Sequence, residues 1–182
     1  MLIDTGNYLY KALSSIINHL VKDYKYKLDV GCGECFHTRQ FQGQNIIYLD
    51  IQNQPKAPLP FMKLDVMDFW SNYPVAKVDV LIALDLIEHL TKGEGFRFLM
   101  DAVKCNVKRV IIFSPEGDYV VESESTDPDK HRSGWTAQEF EDMGFQVILS
   151  PRFHGGSGAF LAWKTFIGEE YSTDEIQFVR SK

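Results

Sequence analysis

Short apolar runs that alternate with amphipathic helical segments constrain the fold of this chain more than any other feature. The clearest run is VDVLIALD (78–85), which ends in an acid and predicts a strand buried on both faces. Helical periods at 8–21 and 93–105 flank such runs, and a capping box of Thr136 with Glu139 starts a third helix. Alternating strands and helices are joined by right-handed crossovers, so we expect a mostly parallel sheet covered on both faces.

Other apolar runs predict further strands, and residues 35–42 predict a short helix. The runs lie at 26–31, 45–51, 61–66, 107–117, 145–153 and 159–167. Only HGGSG (154–158) joins the last two, which must therefore be antiparallel, because a parallel return needs a long crossover. Residues 116–134 are polar and without a period, which predicts a long loop with a frayed strand at 119–121. Loops of this length in a compact domain are usually functional or mobile.

Composition restricts the class of protein. The chain has 182 residues, 45% of them hydrophobic and 24% charged, which favours one globular domain spanning 1–182. No apolar run approaches the roughly 20 residues that span a bilayer. Three cysteines without an export signal predict a cytoplasmic protein. The net charge of −6 opposes a broad nucleic-acid surface, whose affinity comes from Lys and Arg on phosphates.

The segment LDVGCGECFH (28–37) allows three interpretations. It could be a glycine turn that cradles a ligand, a redox dithiol of Cys32 and Cys35, or half a metal site that includes His37. The dithiol gives no role to the interleaved glycines. A zinc site needs three or four ligands, and these three residues are too close in sequence to be the whole set, so no metal is expected.

Glycines or acids lie at the ends of four successive predicted strands. Gly31 and Gly33 follow the first strand, and Asp50, Asp65 and Asp85 lie at or near the ends of the next three. Ligands of open α/β sheets bind at the carboxyl ends of the strands, and glycines let a ligand approach the backbone. An acid roughly 20 residues beyond a glycine turn can hold ribose hydroxyls. The pattern therefore predicts a nucleotide-like ligand.

A nicotinamide dinucleotide is one candidate for that ligand. Its fingerprint, G-x-G-x-x-G, requires a third glycine where this chain has Phe36. A phenylalanine there would obstruct close packing of the following helix, so the sequence disfavours a dehydrogenase.

Taken together, these segments resemble the class I S-adenosylmethionine (SAM) dependent methyltransferases, of the group often described as methyltransferase type 11 or 12. LDVGCGEC is similar to the family's first motif, IIYLDI to its acid-terminated second strand and KLDVMDF to the segment beside the adenine. DVLIALDLIEHL, RVIIFSPEG and HRSGWTAQEFEDMGFQV match the later motifs, so the resemblance covers about residues 26–167. It implies a three-layer, Rossmann-like α/β fold with a seven-stranded, mostly parallel sheet whose last strand is antiparallel.

The resemblance also implies methyltransferase activity and a SAM site. Asp29, Gly31 and Gly33 would surround the methionine part, with Cys32 also in contact with the cofactor, and Asp50 would bind the ribose hydroxyls. Ile51, Asp65 and Val66 would contact the adenine, and Leu84 and Asp85 would line the methionine and sulfonium end. In the family a third glycine often stands where this chain has Cys35. The contacts around that residue are therefore expected to differ from the family's.

His89 and His131 are the candidate catalytic residues. Each could act as a general base on a methyl acceptor, or could instead hold a loop in place. The acceptor is expected to be a small molecule, with no membrane or nucleic-acid partner, and a homodimer could complete the open acceptor face. The alternatives are a protein or nucleic-acid methyltransferase, which a basic stretch KDYKYK (22–27) facing the pocket would support, and a non-catalytic SAM-binding partner subunit.

Overall fold

The computed structural model describes residues 1–4, 8–73, 76–118, 127–154 and 157–166. The strands in these ranges are β1 (Leu2–Ile3), β2 (Lys27–Val30), β3 (Ile46–Asp50), β4 (Phe61–Lys63), β5 (Val80–Leu84), β6 (Arg109–Pro115), β7 (Gln146–His154) and β8 (Ser157–Thr165). The α-helices are α1 (Tyr8–Val21), α2 (Phe69–Asn72), α3 (Lys92–Lys104) and α4 (Ala137–Asp142). No described helix is long and apolar enough to cross a membrane. The frayed strand predicted at 119–121 lies outside the described residues.

The strands form one mixed sheet in the order β1-β7-β8-β6-β5-β2-β3-β4. Strand β8 is antiparallel to both of its neighbours, and the other neighbouring pairs are parallel. The predicted mostly parallel sheet with an antiparallel finish is confirmed, but the sheet has eight strands rather than seven. The additional strand, β1, pairs Leu2 with Ile148 and Ile3 with Leu149. Two residues are too few to show a period, so the sequence pattern did not predict it.

Helices cover both faces of the sheet. On one face, Leu13 of α1 belongs to the same buried cluster as Ile82 of β5. On the other face, Phe98 of α3 and Phe140 of α4 belong to a cluster with Leu81. Successive residues of a strand point to opposite faces, and β5 is apolar throughout because both of its faces are buried. The predicted three-layer architecture is confirmed.

The short helix predicted at 35–42 is not present. Cys35 has a φ of 58°, in the left-handed region, and only a 3-10 turn forms nearby, at Arg39–Phe41. A residue in the left-handed region cannot continue a right-handed helix, so the helical run cannot start there. Phe41 of this segment is instead buried beside α1.

Capping boxes set the starts of the two helices that follow the sheet's central strands. In α4, the backbone N–H of Glu139 donates to Oγ1 of Thr136, and the Glu139 carboxylate accepts from the Thr136 N–H, as predicted. Thr91 and Glu94 form the same arrangement at the start of α3. This cap fixes where α3 begins, directly after the turn that follows β5.

Candidate cofactor and active site

A cavity of about 990 Å³ opens at the carboxyl edge of β2, β3 and β5, which are neighbours in the sheet. This volume is at the upper end of the roughly 300–1,000 Å³ typical of ligand pockets. The cavity is lined by every residue that the resemblance assigns to a cofactor: Asp29, Gly31, Cys32, Gly33, Asp50, Ile51, Asp65, Val66, Leu84 and Asp85. His89 also lines it, and His131 contacts the His89 ring, with 4.9 Å between the ring centroids.

The turn after β2 is built from residues in the left-handed region. Gly31, Gly33 and Cys35 have φ values of 60°, 50° and 58°. A methyl group on Gly31 would lie 2.7 Å from Cδ1 of Leu86, so that position also requires glycine for space. A methyl group on Gly33 would meet no protein atom within 4 Å, which leaves its backbone open to a ligand. Cys35 adopts a glycine-like conformation where the resemblance expects a glycine.

Asp50 links the second strand of the site to this turn. Its Oδ2 accepts a 2.9 Å hydrogen bond from the Gly33 N–H, and its Oδ1 accepts a 2.8 Å bond from the Gln52 N–H. The residue is buried. A carboxylate oxygen can accept two hydrogen bonds, so both oxygens keep capacity for a ligand while the two amides fix the carboxylate plane.

Asp29 is a buried acid at the floor of the cavity. Its partner is the hydroxyl of Thr38, which donates to Oδ2. Burial raises the pKa of Asp29 to about 7, and the charge of Asp50 adds to that effect, whereas the Thr38 hydrogen bond opposes it. Thr38 was not predicted as a site residue, because nothing in its spacing distinguishes it from other polar residues in the turn.

Asp65, Val66 and Ile51 form the wall beyond β3 and β4. Oδ1 of Asp65 accepts a 2.9 Å hydrogen bond from the Met67 N–H and thereby caps a 3-10 turn. Val66 is buried, whereas Ile51 is half exposed. An exposed isoleucine at a cavity wall offers an apolar surface that a flat ring could cover.

Asp85 follows β5 with a φ of 52°, which is uncommon for residues other than glycine but tolerated by aspartate. Asp85 is exposed to solvent, but the protein atoms around this part of the cavity partly desolvate its carboxyl. This desolvation raises the pKa of Asp85 to about 6. Leu84, the last residue of β5, lies beside it on the same wall.

Glu88, His89 and His131 form a compact cluster next to Asp85. One carboxylate oxygen and one nitrogen from each imidazole all lie within 4.8 Å of one another. Glu88 is 2% exposed; its Oε2 accepts a 3.1 Å hydrogen bond from Ser114, and its Oε1 has no hydrogen-bond partner among the described residues. Burial, with a contribution from the charge of Asp85, raises the pKa of Glu88 to about 8.

Backbone hydrogen bonds bring the two histidines together. The N–H groups of Arg132 and Ser133 both donate to the carbonyl of Glu88, at 2.7 and 3.1 Å. The indole of Trp135 donates to the carbonyl of Ile87 at 3.2 Å. Residues 132–135, at the carboxyl end of the predicted loop, are therefore bound to the 3-10 turn at Ile87–His89. Both histidines were predicted as site residues, but the sequence contains no signal that they contact each other.

Cys32 and Cys35 are free thiols at the edge of the cavity. The Cys35 thiol, as a hydrogen-bond partner, and burial both raise the pKa of the Cys32 thiol. Redox-active dithiols require a lowered thiol pKa and an adjacent helix N-terminus, whereas this pair lies in a left-handed turn. The geometry therefore opposes the dithiol interpretation.

No protein-family model matches the sequence, and no curated protein is significantly similar to it. Solved structures do share its fold. The methyltransferase domain of bacterial CtHen1 has 16% identity and a TM-score of 0.59 over 87% of this chain and 100% of that chain. A SAM-dependent methyltransferase from Archaeoglobus fulgidus has 16% identity and a TM-score of 0.57 over 85% and 94% of the two chains.

A third similar structure is the 1,6-didemethyltoxoflavin-N1-methyltransferase of Burkholderia thailandensis with bound S-adenosylhomocysteine. It has 16% identity and a TM-score of 0.60 over 88% of this chain and 80% of that chain. These likenesses define the fold class. The chain has the fold of class I SAM-dependent methyltransferases.

Proposed function

We propose that this chain is a SAM-dependent methyltransferase. One observation carries the proposal: Asp50, at the end of β3, is hydrogen-bonded to Gly33 in the turn after β2, and both residues line one large cavity. An acid held against a glycine turn at the carboxyl edge of a parallel sheet is suited to a ribose. The shared fold supports the same assignment.

The wall near β3 and β4 fits the adenosine part of SAM. Asp50 would accept hydrogen bonds from both ribose hydroxyls with the capacity that its two amide partners leave. Asp65 would accept from the adenine amino group, and the Val66 N–H would donate to the ring. Ile51, which is 51% exposed, would lose that exposure by packing against the adenine face.

The turn after β2 and the end of β5 fit the methionine part. Asp29 would favour the ammonium group through water, and the backbone of residues 31–33 would lie along the chain, where Gly33 leaves open space. Leu84 and Asp85 would line the sulfonium end. When bound, SAM supplies an already activated methyl group, so the protein's task is to orient the acceptor and exclude water.

The charge of the cavity suits a cationic cofactor. Seven acidic residues line it: Asp29, Glu34, Asp50, Asp65, Asp85, Asp127 and Asp129. The lining cation Arg132 is paired with Glu94 at 3.1 Å. Because acids outnumber cations among the charged lining residues, the cavity attracts the positively charged sulfonium and disfavours anionic acceptors.

We infer that the acceptor is a small, uncharged or cationic molecule, and that His89 and His131 act on it. His89 lines the cavity close to the sulfonium end, beside Asp85. The basic stretch at 22–27 does not favour a nucleic acid: it leads into the amino end of β2, whereas the cavity lies at the carboxyl end. Within it, Lys27 is buried and donates to the Tyr24 carbonyl.

The first test is isothermal titration calorimetry with SAM, S-adenosylhomocysteine and NAD. We expect the first two to bind and NAD not to bind. No heat of binding with SAM, from a protein shown to be folded by circular dichroism, would contradict the cofactor assignment.

A second test addresses the acceptor. The protein and SAM are incubated separately with the dialysable and the retained fractions of a cell extract, and S-adenosylhomocysteine is measured by mass spectrometry. Product with the dialysable fraction would support a small-molecule acceptor. Product with the retained fraction alone would indicate a macromolecular acceptor, and SAM binding without product in either fraction would favour a non-catalytic subunit.

A further inference from the structure

We propose that Glu88, His89 and His131 bind one divalent metal ion at the wall of the cofactor cavity, with coordination positions left open for an oxygen of the methyl acceptor. The metal site stands on the geometry of the three residues. The role of the open positions rests on the proposed methyltransferase function.

The three side chains supply a suitable set of ligand atoms. Two imidazole nitrogens and one carboxylate oxygen lie within 4.8 Å of one another. Ligands that are each about 2 Å from one ion are at most about 4 Å apart, so small side-chain rotations would close the cluster around an ion. Two imidazoles with one carboxylate suit first-row ions such as Zn²⁺, Fe²⁺ and Mn²⁺.

The hydrogen bond of His89 prepares the ring for coordination. Its Nδ1 lies 3.2 Å from the carbonyl oxygen of Lys130. A carbonyl can only accept, so Nδ1 must carry the hydrogen, and the lone pair of the neutral ring is then on Nε2. Metal-binding histidines commonly donate their other ring N–H to a backbone carbonyl in this way, because the bond fixes both tautomer and ring orientation.

Glu88 supplies a second, independent observation. It is 2% exposed, Ser114 holds its Oε2, and Oε1 is buried without a hydrogen-bond partner among the described residues. A buried carboxylate oxygen with no partner is unfavourable, and a bound cation would remove that deficit. The Ser114 bond would then orient the ligating carboxylate.

The position of the cluster gives the ion access to the cavity. His89 lines the cavity beside Asp85, whereas Glu88 is buried behind the wall. Three protein ligands leave an ion at least one open position, which water or substrate can occupy. An acceptor hydroxyl bound there would be oriented and made more acidic, as metal-bound water is. The histidines would then act on the acceptor through the ion, rather than as free bases.

The experiment is a Mn²⁺ titration of the full chain followed by electron paramagnetic resonance, which reports free Mn²⁺. Mn²⁺ is chosen because thiols are poor ligands for it, so Cys32 and Cys35 should not compete. The variants are Glu88→Gln, His89→Ala and His131→Ala, with His19→Ala as the matched control. His19 is an exposed histidine of α1 that does not line the cavity.

We expect one Mn²⁺ per chain, affinity reduced at least tenfold in each of the three variants, and unchanged affinity in the His19→Ala control. The Glu88→Gln variant should be folded with an undiminished melting temperature, since the amide keeps the side-chain size and its oxygen can still accept the hydrogen bond from Ser114. Absence of saturable binding, or equal affinity in wild type and Glu88→Gln, would overturn the metal site. Loss of binding in a Cys32→Ser variant would place the ion elsewhere and would also overturn it.

The open positions are tested with the same complex. Bound Mn²⁺ that keeps exchangeable water should enhance the relaxation of bulk water protons, whereas a closed site would not, and absence of enhancement would overturn the acceptor role. Calorimetry with SAM in EDTA separates the two proposals. Binding of SAM without metal would leave the cofactor assignment intact even if the metal site fails.

Discussion

The backbone N–H of Gly33 donates a 2.9 Å hydrogen bond to Oδ2 of Asp50, across two neighbouring parallel strands. The glycine turn and the acid that ends the next strand are therefore one structural unit rather than two separate motifs. The bond orients the Asp50 carboxylate before a ligand arrives. A carboxylate that is already oriented binds its ligand more tightly, because binding then costs less conformational entropy.

Replacing Asp50 by alanine should therefore weaken SAM binding at least tenfold. The variant loses the acceptor for two ribose hydroxyls, and hydrogen bonds to charged groups contribute about 1.5–3 kcal/mol each. Calorimetry measures the affinity. The control is Asp142→Ala, which removes an exposed acid of α4 that does not line the cavity. Equal SAM affinity in the Asp50→Ala variant and in wild type would contradict the cofactor site.

Replacing Asp29 by asparagine should make the protein more stable at neutral pH. The pKa of Asp29 is about 7 in the folded state, against 3.8 for the free group. At a pH between these two values, the folded protein keeps a proton on Asp29 that the unfolded chain has released. Stability from this group is therefore present at low pH and is lost as pH rises toward about 7. Asparagine cannot ionise and can still accept from Thr38.

Urea denaturation of wild type and Asp29→Asn at about pH 5 and about pH 8 tests this sign. The free energy of unfolding of the variant should exceed that of wild type by more at the higher pH, with the difference growing by on the order of 2 kcal/mol. The same variant should bind SAM more weakly. A pH-independent difference in stability would show that Asp29 is not the titrating group.

Two glycines in α3 should respond oppositely to alanine. A methyl group on Gly95 would lie 2.5 Å from Cζ2 of Trp135, which is fully buried, so Gly95→Ala should destabilise the protein by about 1–3 kcal/mol. Gly93 is exposed, and a methyl group added to it would meet no atom within 4 Å beyond its chain neighbours and its own helix backbone, so Gly93→Ala should stabilise by up to about 1 kcal/mol. Thermal or urea unfolding measures both. Equal shifts would mean that Trp135 does not restrict Gly95.

At position 35, a glycine variant should be at least as stable as an alanine variant, which is the reverse of the usual order. At its φ of 58° a side chain costs about 1–2 kcal/mol that glycine does not incur. Cys35→Gly should therefore be at least as stable as Cys35→Ala, by up to about 1 kcal/mol after the greater chain entropy of glycine is counted. Chemical denaturation of the two variants gives the comparison. A clearly more stable alanine variant would contradict the left-handed conformation.

Much of the lining of the cavity could be predicted from the sequence, because its signals are local. Each apolar run that ended near Asp50, Asp65 or Asp85 became a strand or led directly out of one. Parallel strands place their carboxyl ends at the same edge, so acids at successive strand ends converge without further information. The capping box of Thr136 and Glu139 was equally local and formed as predicted.

The errors occurred where tertiary contacts overrode local pattern. Residues 35–42 were predicted to form a helix, but Cys35 adopts a left-handed conformation and Phe41 is buried against α1. Strand β1 exists only because β7 offers it an edge. The bond between Thr38 and Asp29 has no counterpart in sequence spacing.

The sequence by itself determined the layered α/β architecture and the edge of the sheet at which ligands bind, because periodicity, caps and strand-end residues act over a few neighbouring positions. Only the tertiary structure decided that Glu88, His89 and His131 meet, and that Glu88 is left with a buried oxygen lacking a partner. That cluster depends on backbone bonds from Arg132 and Ser133 back to Glu88. Contacts between segments so far apart in the chain form only when the chain folds, and no local pattern encodes them.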